Sequence, residues 1–347
     1  MAEKPVATRT ISLDEKKTWK QRLLKWEVLL FILLIGINVL NSLLSKNYLN
    51  LQNLSNTLKI FLDKGIVAFP VMMVMLLGEI DISVGSQLAL IGTIMGWAGS
   101  HGANLVVVML LGLCVGAALG FINGYLISRF PQLSSTIITL GTEIFYRGLA
   151  WMILENRAYM DWPDGMQFLS WGDLGGIPLI LIVFVVEFLI FAYIIHRTKF
   201  GRSLYAMGRN RNTSYYSGIR TKRNLIMVYT VVGIFAAIAS MFLVSKLGSA
   251  RANMAKNYEM DIIAMVILGG VSVSGGVGNI VGVLMSIFVI GLLRYGLGLV
   301  NVSSEYIMII IGALLIIPVA LPNLKTFANE SSLINAIRRK RKQHPAQ

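Results

Sequence analysis

Apolar runs about as long as a bilayer is thick constrain this chain more than any other feature. A helix crosses the hydrocarbon core with roughly 20 apolar residues, and such runs recur from one end of the sequence to the other. Spans are predicted at about 27–44, 104–127, 134–154, 177–195, 224–244, 278–297 and 303–321. The stretch 65–99 is too long for one span and breaks at Gly78-Glu79-Ile80-Asp81, so it is read as two. A shorter span is predicted at 261–273, and residues 46–64 read as an amphipathic connector. The fold class is therefore all-α: a polytopic membrane protein of about ten transmembrane helices, some of them broken. With 55% hydrophobic and 14% charged residues, against about 25% charged in soluble domains, no segment is left to form a soluble domain.

The formal net charge is +14, and its distribution decides what it means. Of the 31 Lys and Arg, seven lie in 1–25, eight in 197–223 and six in 322–347. Clustering in polar connecting segments marks the cytoplasmic side of a membrane protein; a nucleic-acid partner would need a folded basic domain, which is not present. The expected organisation is a basic cytoplasmic tail at 1–25, a transmembrane domain at 26–321 with a cytoplasmic loop at 197–223, and a second basic tail at 322–347. Ten spans put both tails and that loop on one side. Residues 1–25 lack the pattern of a cleaved secretory signal, so the first span is expected to be retained. The one cysteine, Cys114, and the scattered His101, His196 and His344 have no metal-ligand spacing.

Four motifs stand out. In Gly78-Glu79-Ile80-Asp81-Ile82-Ser83-Val84-Gly85-Ser86, two carboxylates sit between apolar runs. Charge inside a bilayer is costly and faces a bundle interior, water or the headgroups. The segment reads as a broken helix near a conduction path or as a polar turn between spans. In Thr139-Leu140-Gly141-Thr142-Glu143-Ile144-Phe145-Tyr146-Arg147-Gly148, Glu143 and Arg147 share a helix face. They form an internal ion pair or line a path with the hydroxyls of Thr139, Thr142 and Tyr146. The basic loop Phe200-Gly201-Arg202-Ser203-Leu204-Tyr205-Ala206-Met207-Gly208-Arg209-Asn210, continuing to Ser217-Gly218-Ile219, reads as one or two short surface helices. They dock a partner protein or contact anionic membrane lipid. In Tyr258-Glu259-Met260-Asp261, followed by Ile267-Leu268-Gly269-Gly270-Val271-Ser272-Val273-Ser274-Gly275-Gly276-Val277-Gly278, five glycines in the ten residues 269–278 argue against a regular helix there. This run reads as a surface turn or as irregular backbone beside a path. It lacks the Gly-Lys-Ser/Thr ending of a phosphate-binding loop. A weak internal echo relates 76–85 to 267–276.

In this order the four motifs resemble the permease subunits of bacterial sugar ABC importers of the ribose, xylose, rhamnose and autoinducer-2 type. The resemblance spans roughly residues 60–320 and rests on 78–86, 140–148, 200–208 and 268–276. It implies an inner-membrane channel subunit that is not an enzyme and binds no cofactor. ATP and Mg would be held by a separate cytoplasmic sugar-type ABC ATPase. A second permease subunit, the same or different, and an extracytoplasmic solute-binding protein would complete the importer, which would carry a monosaccharide or sugar-like solute by alternating access at the permease dimer interface.

The resemblance assigns ATPase coupling to Phe200, Gly201, Arg202, Leu204, Tyr205, Gly208, Asn210, Ser217, Gly218 and Ile219. Path candidates are Glu79, Asp81, Ser83, Thr139, Thr142, Glu143, Tyr146, Arg147, Gly269, Gly270, Ser272 and Ser274. Where the family often carries Glu-Glu-Ala-Ala before Ser-Gly-Ile, this chain has Asn212-Thr213-Ser214-Tyr215-Tyr216, which implies a dedicated ATPase. The alternatives are an ABC permease for branched-chain amino acids or another small solute, and an ion-coupled secondary transporter. The latter would use Glu79, Asp81, Glu143 or Glu187.

Overall fold

The computed structural model describes residues 26–44, 48, 50–155, 157–314 and 316. Both predicted tails, 1–25 and 322–347, lie outside the described residues, as does the predicted end of the last span. The helices are α1 (Trp26–Leu44), α2 (Leu51–Leu76), α3 (Val84–Ser100), α4 (Leu105–Arg129), α5 (Ser135–Leu154), the single turn α6 (Phe168–Trp171), α7 (Leu179–Arg197), α8 (Lys199–Arg209), α9 (Arg211–Tyr216), α10 (Thr221–Leu247), α11 (Tyr258–Leu268), α12 (Ile280–Leu299) and α13 (Ser304–Leu314). A two-residue antiparallel pair, β1 (Asp173–Leu174) and β2 (Ile177–Pro178), turns through Gly175 and Gly176.

The all-α, polytopic architecture agrees with the reading of the sequence. Among the described residues, six helices are long and apolar enough to cross a membrane: α1, α4, α5, α7, α10 and α12. The others predicted as spans depart from that standard for identifiable reasons. α2 absorbs the predicted connector into one 26-residue helix and carries Lys59, Asp63 and Lys64 into it. α3 has 17 residues and α11 only 11, beginning earlier and ending five residues before the predicted 273. α13 is described over Ser304–Leu314.

Burial sorts the helices. Residues 61–77 are buried without interruption, so α2 is the central post, apolar on every side because it is covered on every side. α1, α5 and α7 keep exposed apolar faces, with Leu29, Phe31, Ile144, Phe145, Leu189 and Tyr193 among them. Lipid covers such faces. Asn38 and Asn41 of α1 are not lipid-facing: Asn41 donates to the Leu292 carbonyl of α12 at 2.8 Å, and Tyr48 donates to Asn38 at 2.8 Å.

α4 and α10 make the most intimate helix contact. Gly112, Gly116, Gly120 and Gly124 recur every fourth residue, so they form one ridgeless stripe. A Cβ at Gly116 would overlap the Gly233 carbonyl, and one at Gly124 would lie 2.8 Å from the Ile226 Cα. Helix pairing in lipid gains from close backbone approach, because there is little hydrophobic drive between helices. Gly116→Ala is therefore expected to cost about 1–3 kcal/mol through overpacking, read as a lowered unfolding midpoint in detergent. Gly141→Ala, where a Cβ meets nothing within 4 Å, is expected to leave the midpoint unchanged.

Candidate functional site

Three of the four motifs meet at one end of the bundle. The glycine-rich turn joins the end of α2 directly: Gly276 N donates to the Leu76 carbonyl at 2.9 Å. Gly78, at φ +77°, passes 3.2 Å from the Ser274 carbonyl for a built Cβ, and Gly275 packs on Gly78. α8 lies across this seam. A Cβ at Gly208 would overlap both the Leu76 carbonyl and the Gly276 amide, so only glycine allows α8 to sit this close. Tyr205 donates to the Gly278 carbonyl at 2.9 Å, and burial raises its phenol above the ordinary tyrosine range. Arg211 of α9 closes the junction on Glu79 at 2.8 Å. The start of α1 reaches the same place, where Trp26 donates to the Leu268 carbonyl at 2.8 Å and its ring covers Gly270.

The loop 197–223 is thus two helices with distinct faces. Thr198 caps α8 by accepting from Gly201 N at 3.0 Å, and Asn210 caps α9 by accepting from Thr213 N at 2.9 Å. Gly201, Leu204 and Met207 are buried, and Phe200, Tyr205, Gly208 and Ile219 are partly buried. Arg202, Arg209, Asn210, Tyr215, Tyr216, Ser217 and Gly218 are exposed, Tyr216 to 87%. The ten residues singled out in the loop therefore divide between holding α8 to the bundle and facing outward. Sequence reasoning did not separate these two jobs, because the apolar spacing of so short a helix does not say which neighbour it packs on.

Asp81 and Ser83 take a different place from Glu79, buried in the interior of the bundle. Asp81 Oδ1 accepts from the Ser83 amide at 2.9 Å and hydroxyl at 2.6 Å. Ser83 Oγ accepts in turn from Gln87 and from Asn123 of α4, both at 2.8 Å. Tyr146 of α5 donates to Asn123 at 3.0 Å. Thr139 Oγ1 accepts from Ile82 N at 3.2 Å and donates to the Ile80 carbonyl, and Thr142 donates back to the Thr139 carbonyl at 3.2 Å. The backbone groups freed by the α2–α3 break are satisfied this way, as irregular backbone at membrane depth requires. These side chains are at most 9% exposed: they form a closed polar joint between α3, α4 and α5. Gly269 is packed on Val283, while Ser272 and Ser274 stand at the bundle end beside α8.

Glu143 and Arg147 do share a face, but their closest approach is a loose 3.9 Å. Arg147 instead donates to the carbonyls of Ala252 and Met254, at 2.9 and 2.8 Å. Those carbonyls belong to the irregular segment between α10 and α11, in which Ala255 and Asn257 hold positive φ. Glu187 on α7 is buried, and neither of its carboxylate oxygens has a hydrogen-bond partner among the described residues.

Sequence analysis singled out Tyr258 and Asp261 but did not join them to the other charges of a cluster on the core helices. Asp63 accepts from Lys246 at 2.6 Å and from Tyr258 at 3.3 Å. Asp261 pairs with Lys64 at 2.5 Å and with Arg294 at 2.7 Å, and Lys64 stands 4.2 Å over the Tyr258 ring. The signal was present in each charge interrupting an apolar run, but the partners lie 33 to 197 residues apart.

The comparisons with known proteins bear on this whole assembly. The family model described as "branched-chain amino acid transport system / permease component" matches residues 53–319. The ribose import permease protein RbsC of Bacillus subtilis is 37% identical over 299 residues, covering 86% of this chain and 91% of that protein. RbsC of Escherichia coli K12 is 33% identical over 85% of this chain and 92% of its own length. The autoinducer 2 import system permease protein LsrD of Photorhabdus temperata is 34% identical over 85% and 90%. No solved structure matches the chain. With a family model spanning most of the chain and relatives aligned over nearly their full length, this multi-pass inner-membrane protein belongs to the transport-system permease family, as an ABC-type permease component.

Proposed function

We propose that this permease subunit imports a monosaccharide or sugar-like solute, driven by ATP hydrolysis on a separate ATPase that holds ATP and Mg. The observation that carries the coupling half of this reading is the junction at Gly208. One surface helix touches both the α2–α3 break and the α11–α12 turn, so a push on its exposed face reaches two helix pairs at once. Two discrete arrangements of such a joint are what an alternating-access cycle requires. The exposed face of α8 and α9, with Arg202, Arg209, Tyr215 and Tyr216, is the surface offered to the ATPase. A second permease subunit, identical or not, and an extracytoplasmic binding protein complete the importer. The loop 197–223 and both termini are cytoplasmic in this reading, and ten crossings join them, with α2, α3, α11 and α13 as the four that fall short in length or apolarity.

The substrate half rests on the ribose and autoinducer 2 permeases among the relatives. A branched-chain amino acid is the second reading, favoured by the description of the family model. Uptake of labelled D-ribose, D-xylose, L-rhamnose and L-leucine by cells expressing the chain, compared with cells lacking it, separates the two. Saturable sugar uptake that stops on ATP depletion is expected. Uptake of leucine and of none of the sugars overturns the sugar reading. Uptake driven by an ion gradient after ATP depletion overturns the ABC coupling.

A further inference from the structure

Three of the charges on the core helices also wall a cleft. Between α2, α10, α11 and α12 lies a space of about 470 Å³, lined by Lys64, Lys246 and Arg294 together with Ile60, Phe61 and Tyr258. It sits at the end of the bundle opposite the coupling junction, extracytoplasmic in the topology given above. Lys246 is the next-to-last residue of α10, Tyr258 opens α11, and Arg294 lies in the last two turns of α12. α12 leaves the glycine-rich turn at Ile280, so Arg294 stands about 21 Å further along it at 1.5 Å per residue. In a hydrocarbon core about 30 Å thick, that level leaves the guanidinium within a side chain's reach of the far headgroups.

The lining selects for negative charge. Asp63 and Asp261 stand behind the cations and do not face the cleft. Both oxygens of Asp63 are used, by the Lys64 amide and by Lys246 with Tyr258. Both oxygens of Asp261 are used, by Arg294 and Lys64. Three cations against two carboxylates leave one net positive charge, and the neighbouring Lys59 is matched by Asp173. Arg294 Nε is buried with no partner among the described residues. Lys64 gives one side-chain hydrogen bond and Lys246 two, so both ammonium groups keep protons to donate. The rim of the cleft is apolar: Ile60 is 46% exposed, Leu299 37% and Leu247, beside Lys246, 49%. Apolar side chains exposed together at this depth mark contact with lipid.

We propose that this cleft holds the phosphodiester headgroup of an anionic phospholipid from the extracytoplasmic leaflet. The phosphate oxygens accept from Arg294, Lys64 and Lys246, and the acyl chains run out over Ile60 and Leu299. The single negative charge of such a headgroup matches the net charge of the cluster. A zwitterionic headgroup does not, because its own cation would face the cations of the lining. A free phosphate satisfies the same donors but leaves the apolar rim bare, which is why the lipid is the occupant. The inference is independent of which solute the permease carries.

The test uses the full chain, purified in detergent. The probes are dioctanoyl-phosphatidylglycerol, dioctanoyl-phosphatidylcholine, inorganic phosphate and poly-L-glutamate. The readouts are the unfolding midpoint and the lipid retained in native mass spectrometry. Phosphatidylglycerol near saturation is expected to raise the midpoint by about 3 °C or more, and the other three probes to leave it unchanged. Ile60→Glu adds a carboxylate to the lining without removing a member of an ion pair, and is expected to weaken the apparent affinity about ten-fold or more. Arg294→Lys keeps a cation beside Asp261 while removing Nε, and is expected to weaken it by less.

Equal shifts with phosphatidylglycerol and phosphatidylcholine, no shift with either, or a wild-type response in both variants overturns the site. A shift with inorganic phosphate as large as that with phosphatidylglycerol overturns the lipid as its occupant. A shift with poly-L-glutamate and none with the lipid gives the cleft to an acidic protein surface and overturns the lipid as well.

Discussion

Gly208→Leu is expected to stop solute uptake while the chain still inserts and folds. The four-carbon side chain cannot enter the space between α8, the Leu76 carbonyl and Gly276. It pushes α8 off the seam, breaking the Tyr205–Gly278 contact and shifting Arg211 from Glu79. Leu204 and Met207 of α8 lose part of their packing, while the core around α2 away from the bundle end keeps its contacts. Coupling free energies between sites are typically about 1–3 kcal/mol, or 5–150-fold, so a loss of uptake within that range is the expected size. ATPase activity that persists without uptake is the signature of uncoupling. Uptake equal to wild type in a variant that still co-purifies with the ATPase would show that the junction transmits nothing. Glu79→Gln provides a milder version, since the Arg211 partner is 37% exposed and an exposed pair contributes about 1 kcal/mol or less.

Arg147→Met is expected to be far more damaging than Glu143→Gln. The two residues look equivalent in the sequence, as partners one helical turn apart. In the structure Arg147 satisfies two carbonyls of the segment between α10 and α11, while its contact with Glu143 is a loose 3.9 Å. Hydrogen bonds from a charged donor contribute about 1.5–3 kcal/mol each, so removing the guanidinium costs roughly 3–5 kcal/mol and releases residues 252–254. Glu143→Gln leaves both bonds in place and is expected to cost under about 1 kcal/mol. Unfolding midpoints of the two variants in detergent decide the matter. Equal losses would mean that the i,i+4 pair itself carries the stability. Arg147→Lys is expected to recover part of the loss, because an ammonium has protons for both carbonyls but sits on a shorter side chain than the Nη1 that donates to them.

Much of the architecture was legible before any coordinates. Apolar runs located the long helices at nearly their observed ends, and Arg129-Phe130-Pro131 ended α4 where it was expected to. The loop 197–223 was recognisable as short surface helices from its apolar anchors, glycine punctuation and charge, while the Thr198 and Asn210 caps appeared only in the structure. The connector at 46–64 was misread as separate from the next span because Lys59, Asp63 and Lys64 make it look amphipathic. Those charges are buried instead, each paid for by a partner on another element: Asp173, Lys246 and Asp261. A sequence window sees the charge but not the partner. The same blindness explains why Glu79 and Asp81, two residues apart, were given one role when they stand in different places.

The sequence by itself determined the class of the molecule, the order of its long helices and the family of its motifs. Each of these follows from local quantities: the cost of placing a polar group in hydrocarbon, the length of chain that crosses it, and the backbone freedom of glycine at a break. Only the tertiary structure decided which breaks touch. Gly78, Gly208 and Gly275 are ordinary loop glycines until α2, α8 and the α11–α12 turn meet. Lys64 and Arg294 are isolated cations until α11 brings Asp261 between them. Contacts of this kind depend on which faces of the helices are turned toward one another. That choice is made by the packing of the whole bundle, where close backbone approach and the pairing of buried charge are settled together.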